Sequence, residues 1–561
     1  MEVALVGPAT VTEPVAAALS ETDATTVTAE PTALERFSAA VVAGPVGADR
    51  FDAATPATLV TVEFGGLGGR RLDLDAAVSV FSETSACPDC LRARVAAGTD
   101  GAERDGDPTP PHSTARLAGA VAGHRLARLL GGESLGGTVV EVSGREREFL
   151  PVPGCGCRSS PDGLSRGHRE VSLSDAVARM ERVVDDRLGP VREVGEQSSF
   201  PVPYYVAATA DTTGFADARC GEFGAGVAGD WNAAYAKAVG EALERYAAGV
   251  YRESSFRHAP TAGVIDAVPV SAFVTPDGAA PDSDDRVAWT DGVDLRDESY
   301  AALPASFVNF PAPGRQFAPQ ITTGLGLGNS TDEALAAGLA EVIERDATML
   351  AWYSTFEPVE LVVDTPAFQT LRKRARAESL TVTPLLCTQD VDVPVVAVAV
   401  HRDGEWPRFA LGSAAGFDAS AAATAACAEA LQNWTELESM GPERATDQEA
   451  AVGRYAEFPG SVREFVDAPA TVDAGDVTES VPADERVDEL VARLADADLG
   501  AYAAGLTTVD LAELGFEAVR VVAPGAQPLF TAEPFFGERA EIVPAELGFE
   551  PRLEREFHPF P

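Results

Sequence analysis

Short apolar runs, each bounded by turn residues, alternate with amphipathic stretches over the first part of the chain. Val3-Ala4-Leu5-Val6 reads as a buried strand, and Gly7-Pro8 turns the chain into an Ala-rich helix ending near Leu19. The same short apolar pattern returns at residues 39–43 and 58–62. Runs this short and apolar between turn signals are strands covered on both faces, so residues 1–70 predict a small parallel α/β unit. Gly7-Pro8-Ala9 stands where a Gly-x-Gly-x-x-Gly fingerprint would cradle a dinucleotide, and no such cofactor is expected there. Residues 100–112 are rich in Gly, Pro and Asp and read as an exposed loop, 114–130 as an amphipathic helix, and 151–168 as irregular chain. A new helix opens at Ser172-Leu173-Ser174-Asp175, which places the expected boundary between residues 1–170 and 171–561.

Beyond it, long helices at 230–250 and 331–354 alternate with apolar strands such as 395–400, the pattern of one large α/β domain. The acidic stretch 468–488 reads as a solvated loop or insertion, and no repeat of fixed short period is visible.

Three Ala-rich helices carry oxygen ligands three residues apart. They are Glu241-Ala242-Leu243-Glu244-Arg245, Glu341-Val342-Ile343-Glu344-Arg345 and, within 419–436, Glu429-Ala430-Leu431-Gln432. Residues at that spacing share a helix face, where like charges repel. Magnesium resolves such a conflict, because it takes carboxylates together with substrate phosphates, and Arg245 and Arg345 suit bidentate phosphate contact. The competing reading is solvated faces with ordinary ion pairs. Gly224-Ala225-Gly226-Val227-Ala228-Gly229 and Gly324-Leu325-Gly326-Leu327-Gly328-Asn329 precede two of these helices and are expected to be loops passing close to a ligand. No Val- or Ile-rich strand leads into the first, which argues against a Rossmann site. Ser330-Thr331-Asp332-Glu333 reads as a capping box, with Glu333 reaching back, and Asp346 reads as surface charge.

Charge narrows the partners. The chain has 87 acidic and 43 basic residues, net -44, with lysine only at 237 and 373. This field repels nucleic acid and anionic lipid. Its even spread along the chain fits a surface adapted to high salt, where screening removes self-repulsion. No apolar run approaches the roughly 20 residues of a membrane span. The start Met1-Glu2-Val3-Ala4-Leu5 lacks the basic segment of a secretory signal, so a cytoplasmic location is expected. The seven cysteines argue against a disulfide framework in that setting. Cys87-Pro88-Asp89-Cys90 and Cys155-Gly156-Cys157 form two close pairs that would close a tetrahedral, structural zinc site. A redox pair or four unrelated thiols are the alternatives. Cys220, Cys387 and Cys427 read as ordinary buried thiols.

In this combination and order the three helices resemble the YcaO family of ATP-dependent peptide-modifying enzymes, over roughly residues 172–561. The first motif, Ser-x-x-x-Glu-x-x-Glu-Arg, is similar to Lys237 through Arg245. The second is similar to Asn329 through Arg345 with Glu333, Glu341 and Glu344, followed by Asp346-Ala347. The third is similar to Glu429 and Gln432. The resemblance implies ATP and Mg2+ contact by Glu241, Glu244, Arg245, Asn329, Glu333, Glu341, Glu344, Arg345, Glu429 and Gln432, which moves Glu333 from cap to site. It departs at two points: Lys237 replaces the family's Ser, and Ala425 replaces the Arg that precedes the third motif. The end Phe557-His558-Pro559-Phe560-Pro561 resembles a shortened form of the Pro-rich tail of azoline-forming members, which implies that Pro559, Pro561 and His558 lie near the catalytic centre; a rigid exposed tail is the alternative. Residues 1–170, with Cys87, Cys90, Cys155 and Cys157, resemble a reduced Rossmann-like, ubiquitin-activating-like leader-peptide-binding module with Zn2+.

The implied chemistry is ATP-dependent cyclodehydration of Cys, Ser or Thr in a ribosomally made peptide to an azoline. A thioamide-forming relative would use the same carboxylates with an external sulfur donor, and a non-catalytic peptide-binding scaffold is the reading from another class. The implied partners are a peptide or protein substrate, a flavin dehydrogenase or sulfur-delivery protein, and a second copy in a homodimer.

Overall fold

The computed structural model describes residues 1–53, 56–99, 109–142, 144–161, 163–447 and 451–561. Most of the loop expected at 100–112 therefore lies outside the described residues, and its last residue already opens the helix His112–Leu130.

The N-terminal strands do form, and both of their faces are covered. Val3 and Leu5 face a core shared with the helices Ala9–Leu19 and His112–Leu130, while Ala4 and Val6 face a second core containing Leu91 and Val95 of the helix Pro88–Gly98. Alternate residues of a strand point to opposite faces, so an unbroken apolar run is what a sheet covered on both sides requires. Glu2–Val6 pairs parallel with Thr25–Thr28 and Ala39–Pro45, and Ala39–Pro45 pairs parallel with Thr58–Leu67. The sheet then continues antiparallel through Arg70–Phe81, Thr138–Glu141 and Glu146–Glu148, seven strands in all. The parallel expectation for 1–70 thus covers half of a mixed sheet.

The rest of the chain builds three further sheets, antiparallel in every named pair except Val359–Val362 with Thr471–Asp473. Thr471–Asp473 lies in the stretch expected to be solvated loop and instead closes the edge of the five-stranded sheet. Three strand–helix units recur: Phe223–Val227 with Trp231–Gly249, Leu325–Gly328 with Thr331–Trp352, and Phe409–Ala415 with Ala419–Met440. In each, the helix folds back along the strand before it. Asp230, Ser330 and Asp418 cap the three helices by accepting from Ala233 N (3.0 Å), Glu333 N (3.4 Å) and Ala421 N (3.0 Å).

The Gly-rich runs form the strands of these units, where loops were expected. A Cβ on Gly226 would meet Ala238 N at 2.1 Å, one on Gly326 would meet Ala334 O at 2.2 Å, and one on Gly412 would meet Ala426 O at 2.5 Å. Glycine on the strand opposite alanine on the helix lets two backbones approach. Asp346 is also corrected: it is buried, accepts from Gln527 N at 2.7 Å and pairs with Arg539 at 2.8 Å. Cys220, Cys387 and Cys427 are buried thiols as expected.

Candidate active site

The close strand–helix packing aims the leading glutamate of each three-residue pair at the strand before its helix or at the residue that leads into that strand. Ala225 N donates to Glu241 (2.5 Å), Gly324 N to Glu341 (3.0 Å) and Ser413 N to Glu429 (2.7 Å). The second position reaches the next unit: Leu327 N donates to Glu244 (2.9 Å) and Ser413 Oγ to Glu344 (2.7 Å). The third helix returns to the sheet of the first unit, where the strand Tyr204–Thr209 pairs with Phe223–Val227: Gln432 Nε2 donates to Glu436 (3.0 Å), which also accepts from Tyr204 OH (2.7 Å). The three units therefore close a ring of carboxylates.

Negative charge is in excess there. Burial first, then Glu341 and Glu241, pushes the Glu244 carboxyl up to about 8. Burial and then Glu344 push Glu429 up to about 7, with Arg345 and Lys237 opposing. Glu341 is likewise raised by burial, against the pull of Arg345. The nearby guanidiniums are already engaged. Arg245 pairs with Glu241 at 2.6 Å and donates to Phe223 O. Arg345 lies 3.6 Å from Glu344, 3.9 Å from Glu341 and donates to Pro561 O at 2.9 Å. Lys237, one turn before Glu241, makes no hydrogen bond or ion pair among the described residues. Crowding by protein pushes its ammonium below the ordinary range while Glu429 pulls it back.

Such a set of mutually repelling oxygen donors fits a hard divalent cation. Among the described residues only the cysteines gather three or more ligand atoms within 4.8 Å of one another. The glutamates stand further apart than that, and Mg2+ commonly completes its coordination with water and phosphate oxygens.

The Glu333 carboxylate reaches back to Asn329, one residue before the capping Ser330: Asn329 N donates to it at 2.8 Å and Asn329 Nδ2 at 3.0 Å. Arg179 holds Asn329 Oδ1 at 2.6 Å, and Arg169 donates to Asn329 O. The C-terminal segment reaches the ring through Pro561 and Arg345. His558 is buried, donates from Nε2 to Phe530 O (2.7 Å), and is pushed down to about 4 by burial first. Its ring stacks on Phe557, and Tyr455 OH donates to Phe557 O. In this arrangement His558 and the buried Pro559 hold the tail in place.

The four cysteines come together across 70 residues of chain, with sulfur separations of 3.7 Å (Cys87–Cys90), 3.5 Å (Cys87–Cys155) and 3.5 Å (Cys90–Cys157). Zn–S bonds of about 2.3 Å in a tetrahedron put sulfurs about 3.8 Å apart, so this donor set fits zinc. One turn beyond Cys90, the fully buried Arg94 donates to Leu150 O, Pro151 O, Tyr246 OH and Asp510. Tyr246 OH also donates to Asp510 at 2.7 Å. That network ties both cysteine segments to the helix bearing Glu241 and Glu244.

Sequence reasoning did not find Ser413, Glu436, Tyr204, Arg169 or Arg179. Glu436 had a signal, since it follows Glu429 by two helical turns on the same face. The others arrive from separate elements and had none.

A family model described as YcaO cyclodehydratase, ATP- and Mg2+-binding, matches residues 225–527. No curated protein sequence matches the chain. Among solved structures, a heterocyclase in complex with substrate and cofactor is 18% identical, with a TM-score of 0.72 over 98% of this chain and 83% of that one. The heterocyclase TruD is 16% identical, with a TM-score of 0.66 over 98% of this chain and 81% of that one. YcaO from Methanopyrus kandleri, bound with AMPPCP and Mg2+, is 24% identical, with a TM-score of 0.50 over 64% of this chain and 92% of that one. Among the described residues no helix is long and apolar enough to cross a membrane.

Proposed function

The chain belongs to the YcaO family of ATP- and Mg2+-binding cyclodehydratases, and we propose that its carboxylate ring binds Mg2+ and ATP to convert Cys, Ser or Thr of a ribosomally made peptide to azolines. The observation that carries this reading is the convergence of Glu241, Glu244, Glu341, Glu344 and Glu429 from three helices onto three neighbouring strand–helix units, held by Ala225, Gly324, Leu327 and Ser413. Bound Mg2+ would neutralise the ATP phosphates and withdraw charge from the transferred phosphoryl group.

In the reaction, the side-chain sulfur or oxygen bonds to the carbon of the preceding amide, its proton passing to solvent, and the carbonyl π pair moves to oxygen. That oxygen takes the γ-phosphoryl group, and ADP leaves. Loss of phosphate, which carries away the amide oxygen, together with the amide N–H proton forms the C=N bond. Glu241, Glu244, Glu341, Glu344, Glu333 and Glu429 would hold metal and nucleotide, with Arg245, Arg345, Asn329 and Gln432 orienting the phosphates. Pro559, Pro561 and His558 set the tail that reaches Arg345. Residues 1–170 are read as a peptide-docking module carrying structural zinc on Cys87, Cys90, Cys155 and Cys157, residues 171–561 as the catalytic domain, and the molecule as a cytoplasmic homodimer of a salt-adapted cell.

Calorimetric titration with Mg2+–AMPPNP in high salt tests the nucleotide site. Binding by the wild type, and its loss in E341Q and E344Q, is the expected result; no binding and no phosphate release at any salt concentration would refute the reading. Mass spectrometry of a treated peptide should record loss of water at Cys, Ser or Thr, whereas exchange of oxygen for sulfur would identify a thioamide enzyme.

A further inference from the structure

Val342 and Arg345, on the second carboxylate helix, also wall a cavity of about 90 Å3 whose other sides include Phe273, Phe307, Ile321 and Leu529. Phe273 and Phe307 stack there, with centroids 4.2 Å apart. Arg520 lines the same cavity from the strand Glu517–Val522. It is only 7% exposed. Its Nη2 donates to Ile321 O at 3.1 Å, while Nε and Nη1 have no partner among the described residues. No ion pair joins it to a carboxylate among the described residues, and Glu341 acts on it only through space. Burial pushes its guanidinium down to about 10.

A buried guanidinium with two unmet donors costs folding energy, and a cavity of apolar walls does nothing to lower that cost. The ligand that satisfies both features has an anionic oxygen joined to an apolar body. Triphosphate alone has the first and lacks the second. A peptide amide under attack has both, because its carbonyl oxygen turns anionic while the preceding residue supplies the apolar side chain.

Resting on the function proposed above, we propose that this cavity seats the reacting amide of the peptide: the side chain of the preceding residue lies against Phe273, Phe307 and Ile321, and the developing oxyanion accepts hydrogen bonds from Nε and Nη1 of Arg520. Arg345, on the wall shared with the carboxylate ring, places that oxygen beside the phosphoryl donor. Arg520 is then a catalytic residue whose interaction strengthens as charge develops, and apolar residues are preferred before the modified one.

The probe is a phosphinate dipeptide analogue, in which a tetrahedral anionic phosphorus replaces the carbonyl carbon, made with a leucine-type or a glycine-type side chain. Calorimetry uses the full chain with Mg2+ and ADP. The leucine-type phosphinate should bind about tenfold tighter than the glycine-type one, and R520M should weaken it by about 100-fold. R520K, which keeps the charge but loses the fork, should weaken it by about tenfold. F307A should remove the leucine preference while leaving the dependence on Arg520. Equal affinity in wild type and R520K overturns the proposal even if R520M fails to fold, and inorganic phosphate binding as tightly as the leucine-type phosphinate overturns it too. AMPPNP binding by the same wild-type sample separates the two readings: its absence refutes the nucleotide site, whereas its presence with no phosphinate binding refutes only the oxyanion pocket.

Discussion

At Glu244 the conflict between fold and site is concentrated in one side chain. Its carboxyl is raised from an ordinary 4.5 to about 8, by burial first and then by Glu341 and Glu241. For a raised carboxyl, the unfolded chain ionises first. The stability contributed below about pH 4.5 is therefore lost progressively as pH rises toward 8 in the cation-free protein. Cation binding needs the ionised form, so Mg2+–AMPPNP affinity rises over the same window. Thermal melts without Mg2+ should show the wild type losing stability from pH 6 to 8.5 more steeply than E244Q. The same variant should weaken Mg2+–AMPPNP on the order of tenfold at pH 8 and flatten its pH dependence. The Glu-x-x-Glu spacing was legible in the chain because a helix alone sets it; the weakened acidity was not, because Glu341 arrives from a helix 100 residues away.

The strand–helix unit is where sequence reading erred most instructively. Glycine-rich runs before charged helices suggest a ligand loop, and here the same glycines admit a helix. A Cβ at Gly412 would meet Ala426 O and Ala430 N, each at 2.5 Å, both backbone atoms that cannot rotate away. G412A should therefore destabilise the fold by about 1–3 kcal/mol. It should also weaken Mg2+–AMPPNP, because Ser413 beside it donates to both Glu344 and Glu429. G416A, with nothing within 4 Å of its added Cβ, is the control and should match the wild type in chemical denaturation and in nucleotide binding.

At the scale of the whole molecule, two charge patterns act in opposite ways. Arg94 and Asp510 form a pair with no side-chain exposure, joining the cysteine-bearing segments to the first carboxylate helix. R94M strands Asp510 as a buried charge and should cost about 3–5 kcal/mol in denaturant unfolding, whereas R94M with D510L should recover most of that loss. The net charge of -44 is spread outside such pairs. Raising KCl from 0.1 to 2 M should raise the melting temperature, and a fall would argue against salt adaptation.

What the chain determined by itself is what local periodicity can encode. Helical spacing fixed the face shared by Glu241 and Glu244, by Glu341 and Glu344, and by Glu429 and Gln432, and apolar runs fixed the buried N-terminal strands. Tertiary structure decided which of these faces meet. It carried the N-terminal sheet past its parallel strands into an antiparallel half, buried Asp346 against Arg539, and brought Tyr204, Ser413 and Glu436 to the ring. It also brought Arg520 to the wall of a largely apolar cavity with two donors unpartnered among the described residues. The physical reason is one of range: spacing along a helix is a property of neighbours in sequence. Burial, like-charge repulsion and an unmet hydrogen bond depend on which distant segments the fold packs together.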